Sequence, residues 1–182
     1  MIGAGSVPSG WFGASGLPPG MKFVRRTILT GASQQTLVIA DGLDGETDLG
    51  YTVKGLVVEG GSAGNPEIYL RPNGITANQR RQYLQGNVGV VAANEGATLG
   101  MAIGSVGNGL VMHFNVDFFA KSGFRRGTNA QSQQETSATS TALNQFAGMW
   151  IDTTTPVSSL VIAAEFALGL GAGSEFVVFK WV

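Results

Sequence analysis

Between Leu110 and Phe119 the chain reads LVMHFNVDFF. Leu110, Met112, Phe114, Val116 and Phe118 take every second position, with Val111, His113, Asn115 and Asp117 between them. Side chains of a strand alternate between its faces, so this order predicts a half-buried antiparallel strand. A slip of one residue would turn the whole apolar set towards solvent, which pins the register. Other runs of β-branched and aromatic residues follow the same rule: KFVRRTIL (22–29), QTLVIA (35–40), YTVKGLVVE (51–59), EIYLR (67–71) and VGVVAA (88–93). Further on come QFAGMWID (145–152), SLVIAA (159–164) and EFVVFKWV (175–182). Gly, Asn, Asp and Ser punctuate them, and a period of 3.6 is nearly absent. Eight or more strands with turn signals between them predict an all-β sandwich or jelly roll, not alternating βαβ units.

Three stretches break the pattern. TANQRRQYL (76–84) reads as a short helix, Thr76 and Gln79 forming a capping box, or else as a polar loop. TNAQSQQETSATST, Thr128 to Thr141, carries one charge, Glu135, and reads as a long exposed loop or an edge strand with little driving force of its own. Residues 1–21 form an extended N-terminal arm ahead of a single domain, 22–182.

The arm poses a question of its own. VPSGWFGASGLPPG, Val7 to Gly20, has the Gly, Pro and Ser of a flexible tail yet carries Trp11, Phe12 and Leu17. Such a chain loses much entropy on being fixed. Val7, Trp11, Phe12 and Leu17 are expected to order it by docking into a neighbour's groove, each buried aromatic contributing about 2–3 kcal/mol. Pro8, Pro18 and Pro19 narrow the free ensemble and reduce the loss on docking. The alternative is that the arm packs on its own sandwich and covers an open sheet edge.

Composition narrows the function. Of 182 residues only 13% are charged, about half the usual share, while 43% are hydrophobic and 28 are Gly. The net charge is −1 and the 11 Lys and Arg are scattered, so no phosphate-binding stripe forms and a nucleic-acid partner is not expected. Cys is absent, which excludes disulfides, thiolate nucleophiles and Cys-ligated zinc. The opening Met-Ile-Gly-Ala-Gly lacks the basic and apolar regions of a signal peptide, and no apolar run is long enough to span a bilayer. A soluble chain made in the cytoplasm is expected, with apolar surface destined for other subunits.

Candidate chemistry is sparse. DGLDGETDLGY places Asp41, Asp44, Glu46 and Asp48 within eight positions, a density that suggests calcium. The spacing is not that of an EF-hand, and such loops are more often turns whose Asp side chains cap free backbone amides. His113, the sole histidine, shares a strand face with Asn115 and Asp117, but no nucleophile elbow accompanies it. Glu67, Asp117, Glu135 and Glu165 are the carboxylates that glycoside hydrolysis would need to pair. GSVGNG and LGLGAGSE lack the Lys-Ser/Thr of a phosphate loop and read as tight turns. Three Arg doublets, Arg25–Arg26, Arg80–Arg81 and Arg125–Arg126, divide their charge between faces and suit subunit salt bridges or solvated loops. No catalytic set, cofactor or firm metal site follows.

Several pieces in order resemble a known module. LDGETDLGYTVKGLVVEGG (Leu43–Gly61) runs an acidic turn into a Tyr-led strand, and EIYLRPNG (Glu67–Gly74) ends a strand in Pro-Asn-Gly. HFNVDFFAKSGFRR (His113–Arg126) carries a strand into Lys-Ser-Gly, and LGLGAGSEFVVFKWV (Leu168–Val182) places a Gly-Ser turn before a final strand. The series resembles the small jelly-roll proteins of tailed-bacteriophage virions, namely head decoration or cement proteins, head fibres and tail modules. The resemblance spans Leu43 to the C-terminus and leaves out the arm. It implies a jelly-roll-like antiparallel β-sandwich without enzymatic activity, often assembled as a trimer on the capsid exterior or the tail. The implied partner is the major capsid protein or another virion protein. In the receptor-binding alternative the partner is a bacterial surface glycan, with Tyr69, Tyr83 or Trp150 stacking on sugar rings and the 128–141 loop adding polar contacts.

Overall fold

A computed structural model describes residues 20–87, 90–97, 99–137 and 140–182. In chain order the strands are β1 (Met21–Ile28), β2 (Thr36–Asp41), β3 (Gly50–Val58), β4 (Glu67–Pro72), β5 (Gln79–Asn87) and β6 (Val90–Ala97). They continue with β7 (Met101–Ser105), β8 (Val111–Phe119), β9 (Arg126–Ser137), β10 (Ser140–Trp150), β11 (Ser159–Ala164) and β12 (Glu175–Trp181). One sheet of eight runs β1-β12-β3-β8-β9-β10-β5-β6, and a second of four runs β2-β11-β4-β7. Every pairing is antiparallel.

The order resolves into a jelly roll once β5–β6 and β9–β10 are set aside as insertions. The remaining eight strands pair first with last (β1 with β12), second with seventh (β2 with β11), third with sixth (β3 with β8) and fourth with fifth (β4 with β7). These nested pairs are those of one long hairpin rolled up, its halves falling alternately in the two sheets. The inserted strands then extend the larger sheet beyond β8.

The pattern of apolar positions explains the layers. Met112, Phe114, Val116 and Phe118 are buried while His113 and Phe119 are exposed, so the alternation read along β8 sets its inner and outer faces. β11 and β4 are buried along nearly their whole length, as strands flanked on both sides in the smaller sheet. Tyr51, Phe118, Trp150, Phe176, Ile39, Ile68, Leu70, Met101, Ile103 and Leu160 fill the space between the sheets.

Two expectations are overturned and one strand was overlooked. Residues 76–84 form neither helix nor loop. Gln79 starts β5 and pairs with Trp150, and its side-chain amide donates to the Ile75 carbonyl at 2.5 Å instead of capping a helix. Asn78, at φ 62°, takes the left-handed conformation that breaks a helical path. Thr128–Ser137 is neither an exposed loop nor an edge: β9 is hydrogen-bonded to β8 on one side and β10 on the other. The short β7, MAIGS, carries too few residues to show a period. At the end of β4, Asn73 and Gly74 both have positive φ, 53° and 68°, as the Pro-Asn-Gly turn requires.

Candidate docking surface

The outer face of the larger sheet ends in an aromatic cluster. Gly50 of β3 pairs with Trp181 of β12 on one side and Phe119 of β8 on the other. A Cβ on Gly50 would lie 2.9 Å from the Trp181 ring, so only Gly lets the two aromatics meet above it. They do so edge to face, with centroids 4.8 Å apart. Beyond Phe119 the row opens into a depression at Gly127, lined also by Leu49, Phe124 and the basic Lys121 and Arg125. Leu49, Phe119 and Phe124 are 50%, 56% and 67% exposed, large apolar side chains grouped as interaction sites group them.

The loop carrying Phe124 is firmly based. Ala120 N–H donates to the Leu49 carbonyl at 3.1 Å, Ser122 N–H to Gly45 at 3.0 Å and Gly123 N–H to Thr153 at 2.7 Å. Underneath, Arg126 is buried, donates to the Ala120 and Asp152 carbonyls at 3.0 Å each, and lies 4.8 Å over the Trp150 ring. Burial draws its guanidinium below the ordinary value, with Asp152 opposing. The Asp152 carboxylate itself is committed to Thr155 and Thr154, whose hydroxyls and amides hold it well below the usual range. The aromatic end is therefore presented by a braced frame.

The four carboxylates proposed for calcium do not converge. Asp41 pairs with Arg25 at 2.9 Å. Asp44 accepts from the Thr47 hydroxyl and from the Glu46 and Thr47 amides, and the Thr47 hydrogen bond foremost lowers its pKa. Asp48 is buried and takes Tyr51 Oη at 2.8 Å and Lys180 Nζ at 3.0 Å, while Glu46 stays exposed. Among the described residues no three His, Asp or Glu side chains group as a metal site would need. The turn reading holds for Asp44, whose carboxylate caps the loop's own amides, while Asp41 and Asp48 are taken up by Arg25 and Lys180.

Other flagged residues divide likewise. His113 is exposed, and Asp117 accepts from the Thr52 hydroxyl at 2.6 Å. Of the scattered carboxylates the fold brings Glu67 and Glu165 together, Glu67 N–H reaching Glu165 Oε2 at 3.4 Å. Glu67 is paired with Arg81 and accepts from Tyr69 Oη at 2.7 Å. Burial, then Glu165, pushes the Tyr69 phenol up to about 12. The ion pairs of the Arg doublets are formed within the chain, Arg26 with Glu175 at 2.6 Å among them, so they are not reserved for subunit contacts. Tyr69 and Trp150 are buried at 4% and 0% exposure and cannot stack on a sugar, because both fill the layer between the sheets. The Tyr83 side chain and the arm residues Val7, Trp11, Phe12, Leu17, Pro18 and Pro19 lie outside the described residues.

The aromatic surface was not anticipated, although a signal existed. In a strand one member of the Phe118–Phe119 doublet must face outward. The arm joins the body beside this surface: Val182 N–H donates to the Gly20 carbonyl at 2.8 Å, and Met21 pairs with Trp181.

No family model matches the chain, and no curated protein matches it. Among solved structures it is similar to the tripod (BppUct-A-L) from the baseplate of bacteriophage Tuc2009, at 11% identity and TM-score 0.29, over all of this chain and 78% of that one.

Proposed function

We propose that this protein is a non-enzymatic structural component of a phage particle, a decoration or cement protein on the capsid exterior that holds neighbouring shell subunits together. The observation that carries the reading is the braced aromatic surface of Leu49, Phe119, Phe124 and Trp181 next to the root of an apolar arm. Surface of this kind is stabilised by burial against a partner, and aromatic anchors in hollows dominate interface energetics. A jelly roll at a symmetry point, trimeric in this reading, would repeat the contact and turn weak bonds into a strong clasp. The major capsid protein is the expected partner. The test is to strip the protein from purified particles and heat them or shock them osmotically. Stripped shells should rupture at lower temperature, with recovery on adding the protein back; equal resistance would overturn the proposal.

A second reading draws on a different face. On the outer side of β8, β9 and β10, His113, Asn115, Gln131, Gln133 and Gln145 line a shallow groove flanked by Leu84 and Leu143. Amides offer donors and acceptors together, as sugar hydroxyls require, which suits a head-fibre or tail module gripping a bacterial surface glycan. Copy number separates the two: hundreds per particle support decoration, a handful supports a tail.

A further inference from the structure

The hollow beside Phe119 has a floor of unusual make. Its base is Gly127, on the outward side of β9 opposite Met149, and its walls are Phe119, Phe124, Leu49 and Trp181. A Cβ on Gly127 would meet only the Gly148 carbonyl, at 3.8 Å, so neither backbone strain nor crowding demands Gly here. A side chain at this position would instead fill the hollow. Such a recess, ringed by aromatic edges with Lys121 and Arg125 at its margin, fits an aromatic side chain, whose face accepts a cation as readily as an apolar wall.

We propose that this hollow on one copy receives Trp11 and Phe12 from the arm of a second copy, a step that rests on the assembly reading above and gives it a molecular joint. Trp11 and Phe12 are the aromatic residues of the arm, whose segment from Met1 to Gly20 has no charged side chain and so brings nothing that an apolar recess would reject. The arm is rooted at Gly20, in the same end row of the sheet as Trp181 and Gly50. Phe12 lies eight residues from that root, a reach of up to about 26–29 Å when extended. This spans from one copy to a neighbour abutting the same end. A residue before proline is biased towards extended backbone, so the order Leu17-Pro18-Pro19 favours reaching outward over doubling back. An arm and a hollow at one end of the molecule let two abutting copies exchange arms reciprocally, each filling the other's hollow.

The test uses two full-length variants. Trp11→Ser with Phe12→Ser keeps the hollow and disables the arm; Gly127→Val keeps the arm and fills the hollow. Unchanged circular dichroism and a single cooperative thermal transition establish that both fold. Sedimentation at tens of micromolar should show the wild type associated, each variant alone monomeric, and an equal mixture forming a one-to-one complex. Self-association of Gly127→Val at wild-type strength would overturn the proposal, as would a mixture that stays monomeric. So would a monomeric wild type with Trp11 shielded from quenchers, which would place the arm on its own chain. Particle binding by the wild type is scored separately: complementation without binding would retain the joint and reject the virion reading.

Discussion

Strands β8 and β9 lie side by side in one sheet, yet different forces hold them there. β8 turns Met112, Phe114, Val116 and Phe118 into the core, whereas the partners opposite them on β9 are Gln134, Ser132, Ala130 and Thr128. Each large apolar side chain of β8 contributes about 1.5–3 kcal/mol on burial, so that strand brings its own driving force. β9 brings almost none. It is held by hydrogen bonds to β8 and β10 on its two edges, and its small inner side chains let β7 come close. A Cβ on Gly104 of β7 would lie 2.7 Å from Ser132 Oγ. A strand can thus be specified by what its neighbours need, with an inner face chosen for size more than for hydrophobicity.

The difference can be tested by substitution. Phe118→Ala should cost about 3–5 kcal/mol in denaturant unfolding, the loss of a fully buried aromatic together with the cavity it leaves. A cost below about 1 kcal/mol would mean that β8 is not the self-sufficient partner.

Next comes the clamp at the head of β8. Glu59, buried at the end of β3, accepts from the Gly61 amide at 2.9 Å, from Gly109 at 3.0 Å and from Ser62. Burial alone would raise its pKa, but these hydrogen bonds outweigh it and bring the carboxyl down from 4.5 to about 2. A depressed carboxylate stabilises the fold above its unfolded pKa, and that contribution fades as pH falls from about 4.5 to about 2. Glu59→Gln should therefore cost about 1–3 kcal/mol at neutral pH and flatten the acid limb of the stability curve. An acid limb identical to wild type would exclude Glu59 as its source.

Gly148→Ala probes the close approach on the far side of β9. The new Cβ would press on Thr128 Oγ1 and lie 2.9 Å from Met101 Cβ, so a loss of about 1–3 kcal/mol is expected in thermal unfolding. Smallest of all should be Ser132→Ala. Ser132 Oγ is buried without a hydrogen-bond partner, so the change should fall within about 1 kcal/mol of neutral and on the stabilising side. A loss as large as that of Phe118→Ala would show β9 to be specified from within, and the contrast with β8 would fail.

The same contrast explains what was legible. Strands such as β8, β3, β11 and β12 carry their periodicity in β-branched and aromatic residues, and the runs read from sequence overlie them closely. β5 and β9 do not, because Gln, Arg, Ser and Thr on their faces give no amphipathic signal that distinguishes strand from loop. The docking surface was hidden for a related reason. Leu49, the neighbouring Phe119 and Phe124, and Trp181 come from three distant stretches of the chain, and each alone reads as an ordinary core residue. Gly50, placed between Trp181 and Phe119, brings two of them together on the outside.

From the amino-acid order alone came the all-β class, most strand positions and the turns at Asn73–Gly74 and Asp44. These are local properties: side-chain alternation, turn conformations and the length of polar punctuation act over a few residues. The nesting of eight strands into a jelly roll, the two inserted hairpins and the aromatic hollow over Gly127 were decided only in three dimensions. They arise from pairings between residues distant in the chain, such as Gln79 with Trp150, Met21 with Trp181 and Trp181 with Gly50, whose partners no local pattern can name.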